Sequence, residues 1–112
     1  MSFAIYLYKV YLNQSLKVAI QSFKDKDAES FFRKGIRTRK KGWDNCRDIA
    51  KRKLDMLHYA KELKDLKSPP NNKLESLKGD FKGLYSIRIN NQWRIVFGWD
   101  YQPYDVQIID YH

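Results

Sequence analysis

Tyr85-Ser86-Ile87-Arg88-Ile89-Asn90-Asn91-Gln92-Trp93-Arg94-Ile95-Val96-Phe97 alternates apolar and polar residues on both sides of a turn signal, the pattern of a β-hairpin with one buried face. Where the loop closes decides everything downstream. A loop from Asn90 to Gln92 pairs Ile89 with Trp93, Ile87 with Ile95 and Tyr85 with Phe97, so that these apolar side chains all share one face. A loop one residue shorter splits that set between faces, and burial disfavours it. The favoured register sets Arg88 directly opposite Arg94 on the other face, with Ser86 and Val96 beside them. Like charges across a strand pair are destabilising. Two readings follow: both guanidinium groups reach water or a nearby carboxylate, or the face binds phosphate, which Arg engages through a planar fork of donors.

Outward from the hairpin, Gly79-Asp80 and Lys82-Gly83 mark one turn, and Asp100 to Tyr104 form a loop containing Pro103. Pro69-Pro70 bars any helix from continuing through it. Upstream, the stretch from about Asp44 to Leu63 predicts a long helix. Its apolar positions Trp43, Cys46, Ile49, Ala50, Leu54, Leu57, Ala60 and Leu63 draw one buried stripe, with the basic residues on the opposite face. Asp25 or Asp27 caps a shorter helix through Phe31 and Phe32, which Gly35 ends in the left-handed conformation. Ala19-Ile20-Gln21-Ser22-Phe23 reads as a first strand.

Strand, helix, helix, then three or four strands predicts an α+β domain, with two N-terminal helices packed on a small twisted antiparallel sheet. Residues 19–112 form that domain. Residues 1–18 read as an apolar, aromatic extension, either an added strand or a dispensable segment; with no basic residues ahead of the apolar run, a signal peptide is not expected.

At 112 residues the chain supports a single core. Cys46 is alone, which excludes an internal disulfide framework and fits a reducing, cytoplasmic setting. No apolar stretch is long enough to span a bilayer, so a soluble protein without a membrane partner is expected. One Cys and two separated His residues make no metal set, and no Gly-rich phosphate loop is present. No cofactor is expected.

The net charge of +9 is concentrated between Arg33 and Lys53, where ten cations face only Asp44 and Asp48. Such density attracts polyanions through counterion release, nucleic acid first among them. A solvated helix face, or a face for an acidic protein, is the other reading. His58, inside the long helix, reads as a surface residue. His112 ends the chain directly after a strand; an imidazole with an ordinary pKa of about 6.5 suits proton transfer near neutrality.

Several motifs in order carry a family resemblance. Leu74-Glu75-Ser76-Leu77-Lys78-Gly79-Asp80, Tyr85-Ser86-Ile87-Arg88-Ile89-Asn90, Gln92-Trp93-Arg94-Ile95 and Asp110-Tyr111-His112 resemble the HigB toxins of the RelE superfamily. The resemblance begins near Ile20-Gln21-Ser22-Phe23 and runs to the last residue.

It implies a bacterial type II toxin, a ribosome-dependent endoribonuclease (mRNA interferase) that cuts mRNA in the A site. Its partners are then the ribosome, mRNA and a helix-turn-helix antitoxin of the HigA kind. In the superfamily the ribose 2′-hydroxyl attacks the adjacent phosphate without a metal and leaves a 2′,3′-cyclic phosphate. Carried over, Lys78 and Arg94 stabilise the phosphorane, while Tyr111 and His112 match the terminal pair, with His112 as acid, base or nucleotide orienter. Some members carry a histidine where this chain has Glu75, a carboxylate able to act as base. Arg88 is assigned to substrate binding on register alone. Arg37, Arg39, Lys40, Lys41 and Arg47 are the candidates for docking on ribosomal RNA. The competing reading is a module of the same fold, ParE-like or purely RNA-binding, that acts without cleaving RNA.

Overall fold

The computed structural model describes residues 19–38 and 41–111; the expectations for residues 1–18, Arg39, Lys40 and His112 fall outside them. Helix α1 spans Lys26–Lys34 and α2 spans Arg47–Tyr59, followed by strands β1 (Glu75–Ser76), β2 (Tyr85–Arg88), β3 (Trp93–Trp99) and β4 (Pro103–Asp110). The strands form one antiparallel sheet in the order β1-β2-β3-β4. Among the described residues no helix is long and apolar enough to cross a membrane.

The hairpin takes the register that burial favours. Tyr85 pairs with Phe97, Ser86 with Val96, Ile87 with Ile95 and Arg88 with Arg94. The Asn90 side chain closes the loop by accepting the backbone N–H groups of Gln92 at 2.9 Å and Trp93 at 2.8 Å. Ile87, Ile95 and Phe97 are fully buried against Ala50, Leu54 and Leu57 of α2, in a core that also holds Phe31, Trp43 and Val106.

Helix α1 follows its caps. The Asp25 carboxylate accepts the N–H groups of Asp27 and Ala28, and Gly35, at φ 69°, donates to Phe31 O.

Three expectations need correction. The long helix is shorter: a 3₁₀ turn over Gly42–Cys46 leads into α2, Ala60 is already extended, and Leu63–Lys67 forms a separate 3₁₀ turn. Trp43 explains the tight start, because its buried ring packs edge-on against Phe31 at 5.1 Å and pulls the turn inward. The first strand is reduced to one parallel bridge, Phe23 to Val106. Opposite it the β4 ladder is interrupted by a bulge, with Asp105 at φ 50° held to Ser22 by hydrogen bonds in both directions. Pro103 opens β4 instead of lying in the loop.

His58 is also not a plain surface residue. Its Nδ1 accepts the Ile20 N–H at 3.1 Å, and its ring packs on Phe32 at 5.2 Å. Burial, with the Arg33 cation adding to it, pushes its pKa below the ordinary 6.5 despite the opposing Asp55 carboxylate.

The fold predicts two stability effects. Unfolded chains bind the His58 proton more readily than folded ones, so this contribution is complete above about pH 6.5 and fades as pH falls through the lower folded value. Urea midpoints should therefore drop on acidification from about pH 7 to about pH 5, and His58→Phe should remove that component of the slope. Separately, a Cβ at Gly42 would stand 2.5 Å from the Trp93 ring. Gly42→Ala should cost about 1–3 kcal/mol in urea unfolding, because the packed indole must shift.

Candidate active site

Alternation sends a second set of side chains to the sheet face away from α2. Glu75, Ser86, Val96 and Gln107 form one cross-strand row, and Arg88, Arg94 and Ile109 form the next. This face is not bare: Ser86 and Val96 are fully buried, as is nearly all of Leu77.

Arg94 is its fixed centre. One Nη1 donates to Ser86 Oγ at 2.7 Å and to Lys73 O at 3.4 Å, while Nη2 lies 3.1 Å from Glu75 Oε1. The Arg94 side chain is 15 % exposed against 49 % for Glu75, so the cation is the covered member of the pair and the carboxylate the solvent-facing one. A phosphate arriving at this guanidinium meets donors already oriented by Ser86, with a carboxylate beside them.

The register does set Arg88 against Arg94, yet the two guanidinium groups do not share a site. Arg94 reaches across β2 toward β1. Arg88 turns toward the hairpin tip, where its Nε donates to Asn90 O at 3.0 Å. Divergence relieves the repulsion and takes Arg88 out of the Arg94 centre.

Lys78 is exposed and extended, immediately before the 3₁₀ turn Gly79–Phe81. That turn is latched to the end of β4 by Phe81, whose ring meets Tyr111 edge-on at 5.8 Å. Tyr111 in turn donates its backbone N–H to Gln92 O at 3.3 Å. Contacts thus join Glu75 to Arg94, and the turn that follows Lys78 to Tyr111. Sequence reasoning missed Ser86 as the anchor of Arg94, although its place in the alternating hairpin put it in reach.

The basic stretch is less open than its composition implies. Arg37 grips the Asp44 carboxylate through Nε and Nη2 at 3.1 Å, Arg47 approaches the same carboxylate at 3.9 Å, and Lys41 pairs with Asp27 at 3.1 Å. Lys53, expected on the solvent face of the helix, is buried against Asn72. The Cys46 thiol is pushed up by burial, which argues against a nucleophilic role. Among the described residues no group of His, Cys, Asp or Glu is arranged to hold a metal.

A family model described as the RelE-like toxin of the type II toxin-antitoxin system HigB matches residues 21–112. The chain belongs to this family. It is 40 % identical over 77 residues to Toxin HigB-1 of Vibrio cholerae, covering 69 % of this chain and 80 % of that protein. An uncharacterised protein of Haemophilus influenzae is 33 % identical over 92 residues, covering 82 % of this chain and 90 % of the relative. As a HigB toxin of a type II system, the chain has an antitoxin for a partner.

Ser86→Ala should loosen the toxin locally. Losing a hydrogen bond from a charged donor costs about 1.5–3 kcal/mol, to be read as a lower urea midpoint and as increased mobility of the Arg94 side chain in NMR relaxation.

Proposed function

We propose that this HigB toxin is a ribosome-dependent endoribonuclease that cuts mRNA in the A site. The observation that carries the reading is the Arg94 guanidinium held by Ser86 with the Glu75 carboxylate 3.1 Å away. Attack of a ribose 2′-hydroxyl on the adjacent phosphate builds negative charge on the phosphoryl oxygens and frees a proton from the nucleophile. A preorganised cation meets the charge at little reorganisation cost.

Arg94 binds the phosphate and stabilises the phosphorane. Lys78, on its exposed turn, adds a second cation. Glu75 releases Arg94 to the incoming phosphate and is then free to take the 2′-hydroxyl proton. Tyr111 orients the nucleotide, and His112 returns a proton to the departing 5′-oxygen. The product is a 2′,3′-cyclic phosphate and a free 5′-hydroxyl.

Arg37, Lys41 and Arg47, with Arg39 and Lys40, dock on ribosomal RNA. For the first three, RNA phosphates exchange places with Asp44 and Asp27, so docking weakens with salt. Phosphate contacts of this kind position the toxin without reading sequence, which leaves the choice of cut site to the codon in the A site. A helix-turn-helix antitoxin of the HigA kind restrains the toxin in the cytoplasm, where the ribosomes are.

Inducing the chain in bacteria and mapping mRNA 5′ ends by primer extension tests the reading. New in-frame cuts that need active translation and vanish in Arg94→Ala and His112→Ala are expected; growth arrest with intact mRNA would point to another target. Among variants, Arg94→Ala should lower the cleavage rate more than Glu75→Ala, since Glu75→Ala removes a base while also freeing the cation. Removing one preorganised donor is worth on the order of 100-fold or more in rate. The reverse order would place the essential chemistry on Glu75.

A further inference from the structure

A cleft of about 440 Å³ opens between α2, the Pro70–Asn72 turn and the tip of the hairpin. It lies within the usual size range of ligand sites, about 300–1,000 Å³. Arg52, Lys53 and Arg88 all line it, and among the described residues no carboxylate does. Its apolar wall is Ile49 and Met56 from α2 and Ile89 from the hairpin.

Lys53 is the unusual member. It is 7 % exposed, yet among the described residues its ammonium is met only by amide oxygens, Asn72 Oδ1 and, at 3.4 Å, Asn71 Oδ1. Asn72 is itself fully buried and fixed by donating to Leu66 O at 3.1 Å and Ser68 O at 3.2 Å, so its oxygen is aimed at Lys53 by the surrounding backbone. A buried ammonium without a counter-charge is costly. Burial and the neighbouring Arg52 cation both push its pKa down. An anion in the cleft offsets both effects. Arg88 contributes a guanidinium that, among the described residues, is tethered only at Nε, to Asn90 O.

The occupant follows from the register. Arg88, which lines the cleft, is the cross-strand partner of Arg94, so the two cations leave the sheet from paired positions. A polymer with repeating phosphates can engage both, whereas an isolated anion gains nothing from their adjacency. The apolar wall suits the face of a base, as single-stranded nucleic-acid sites combine cations with such surfaces. We infer that this cleft is a second phosphate subsite, which takes a phosphodiester of single-stranded RNA neighbouring the nucleotide held at Arg94. The identity of the polyanion rests on the RNA-cleaving reading; the cationic cleft does not.

The test is a backbone-amide NMR titration of the Arg94→Ala protein, first with a short single-stranded RNA and then with inorganic phosphate. RNA should shift the amides of Arg52, Asn71 and Asn90. Adding Arg52→Glu, an exposed change, should weaken RNA binding about tenfold and lower the salt slope by about one. Lys34→Glu, on the last turn of α1 and outside the cleft, controls for loss of net charge. The inference is overturned if Arg52→Glu weakens binding no more than Lys34→Glu, or if phosphate shifts the cleft amides and RNA does not. Primer extension separates the two readings: cut mRNA with a silent cleft sinks the subsite alone, while cleft shifts without any mRNA cut leave the subsite standing and remove the nuclease.

Discussion

The pairing of Arg88 with Arg94 is forced by the burial of their neighbours, and much of the molecule is arranged around it. Slipping the hairpin by one residue would put Ile87 on the opposite face from Ile95 and Phe97 and take one side of this set out of the core, a loss far larger than the repulsion between two cations. The core therefore dictates the register, and the register imposes the charge conflict. The Asn90 side chain locks this choice in the turn by accepting the backbone N–H groups of Gln92 and Trp93. The protein resolves the conflict geometrically: one arginine is anchored by Ser86 and Glu75, the other by the Asn90 carbonyl. Two cationic positions on one strand pair are the outcome.

The two positions differ in how rigidly they are built. Arg94 is mostly covered and has three partners, among them a buried hydroxyl and a backbone carbonyl. Holding a guanidinium in this way loses little freedom when a phosphate arrives, which is what a stabiliser of transient charge requires. Glu75 is half exposed, and β1, which carries it, is a two-residue edge strand. Stability in this corner resides in the cation and adaptability in the carboxylate.

Elsewhere the positive charge is moderated rather than displayed. Asp44 gathers Arg37 and Arg47, and Asp27 holds Lys41. The exposed Lys41–Asp27 pair contributes little to stability and is screened by salt, whereas the pairs at Asp44 join half-exposed guanidinium groups to a buried carboxylate. They keep a strongly basic surface from repelling itself, and they can open when a polyanion supplies better partners. Lys53 stands apart from this group because its partners are neutral amides, the buried Asn72 and the exposed Asn71.

Local pattern determined much of this protein. Period-two alternation placed every residue of the hairpin, Asp25 and Gly35 marked the ends of α1, and the motifs around Lys78, Arg94 and Tyr111 carried the family. These are legible because side-chain direction and capping depend on near neighbours in the chain. Tertiary structure decided the rest: the shortened α2 pulled into a 3₁₀ turn by Trp43, the reduction of the first strand to a bridge beside the Asp105 bulge, the burial of Lys53 and His58, and the divergence of the two arginines. The first four depend on partners distant in sequence, Phe31 for Trp43, Ser22 for Asp105, Asn72 for Lys53 and Ile20 for His58, while the arginines turn on Asn90 and Ser86 of their own hairpin. Alternation states which face a side chain leaves from; only packing decides where its charged end comes to rest.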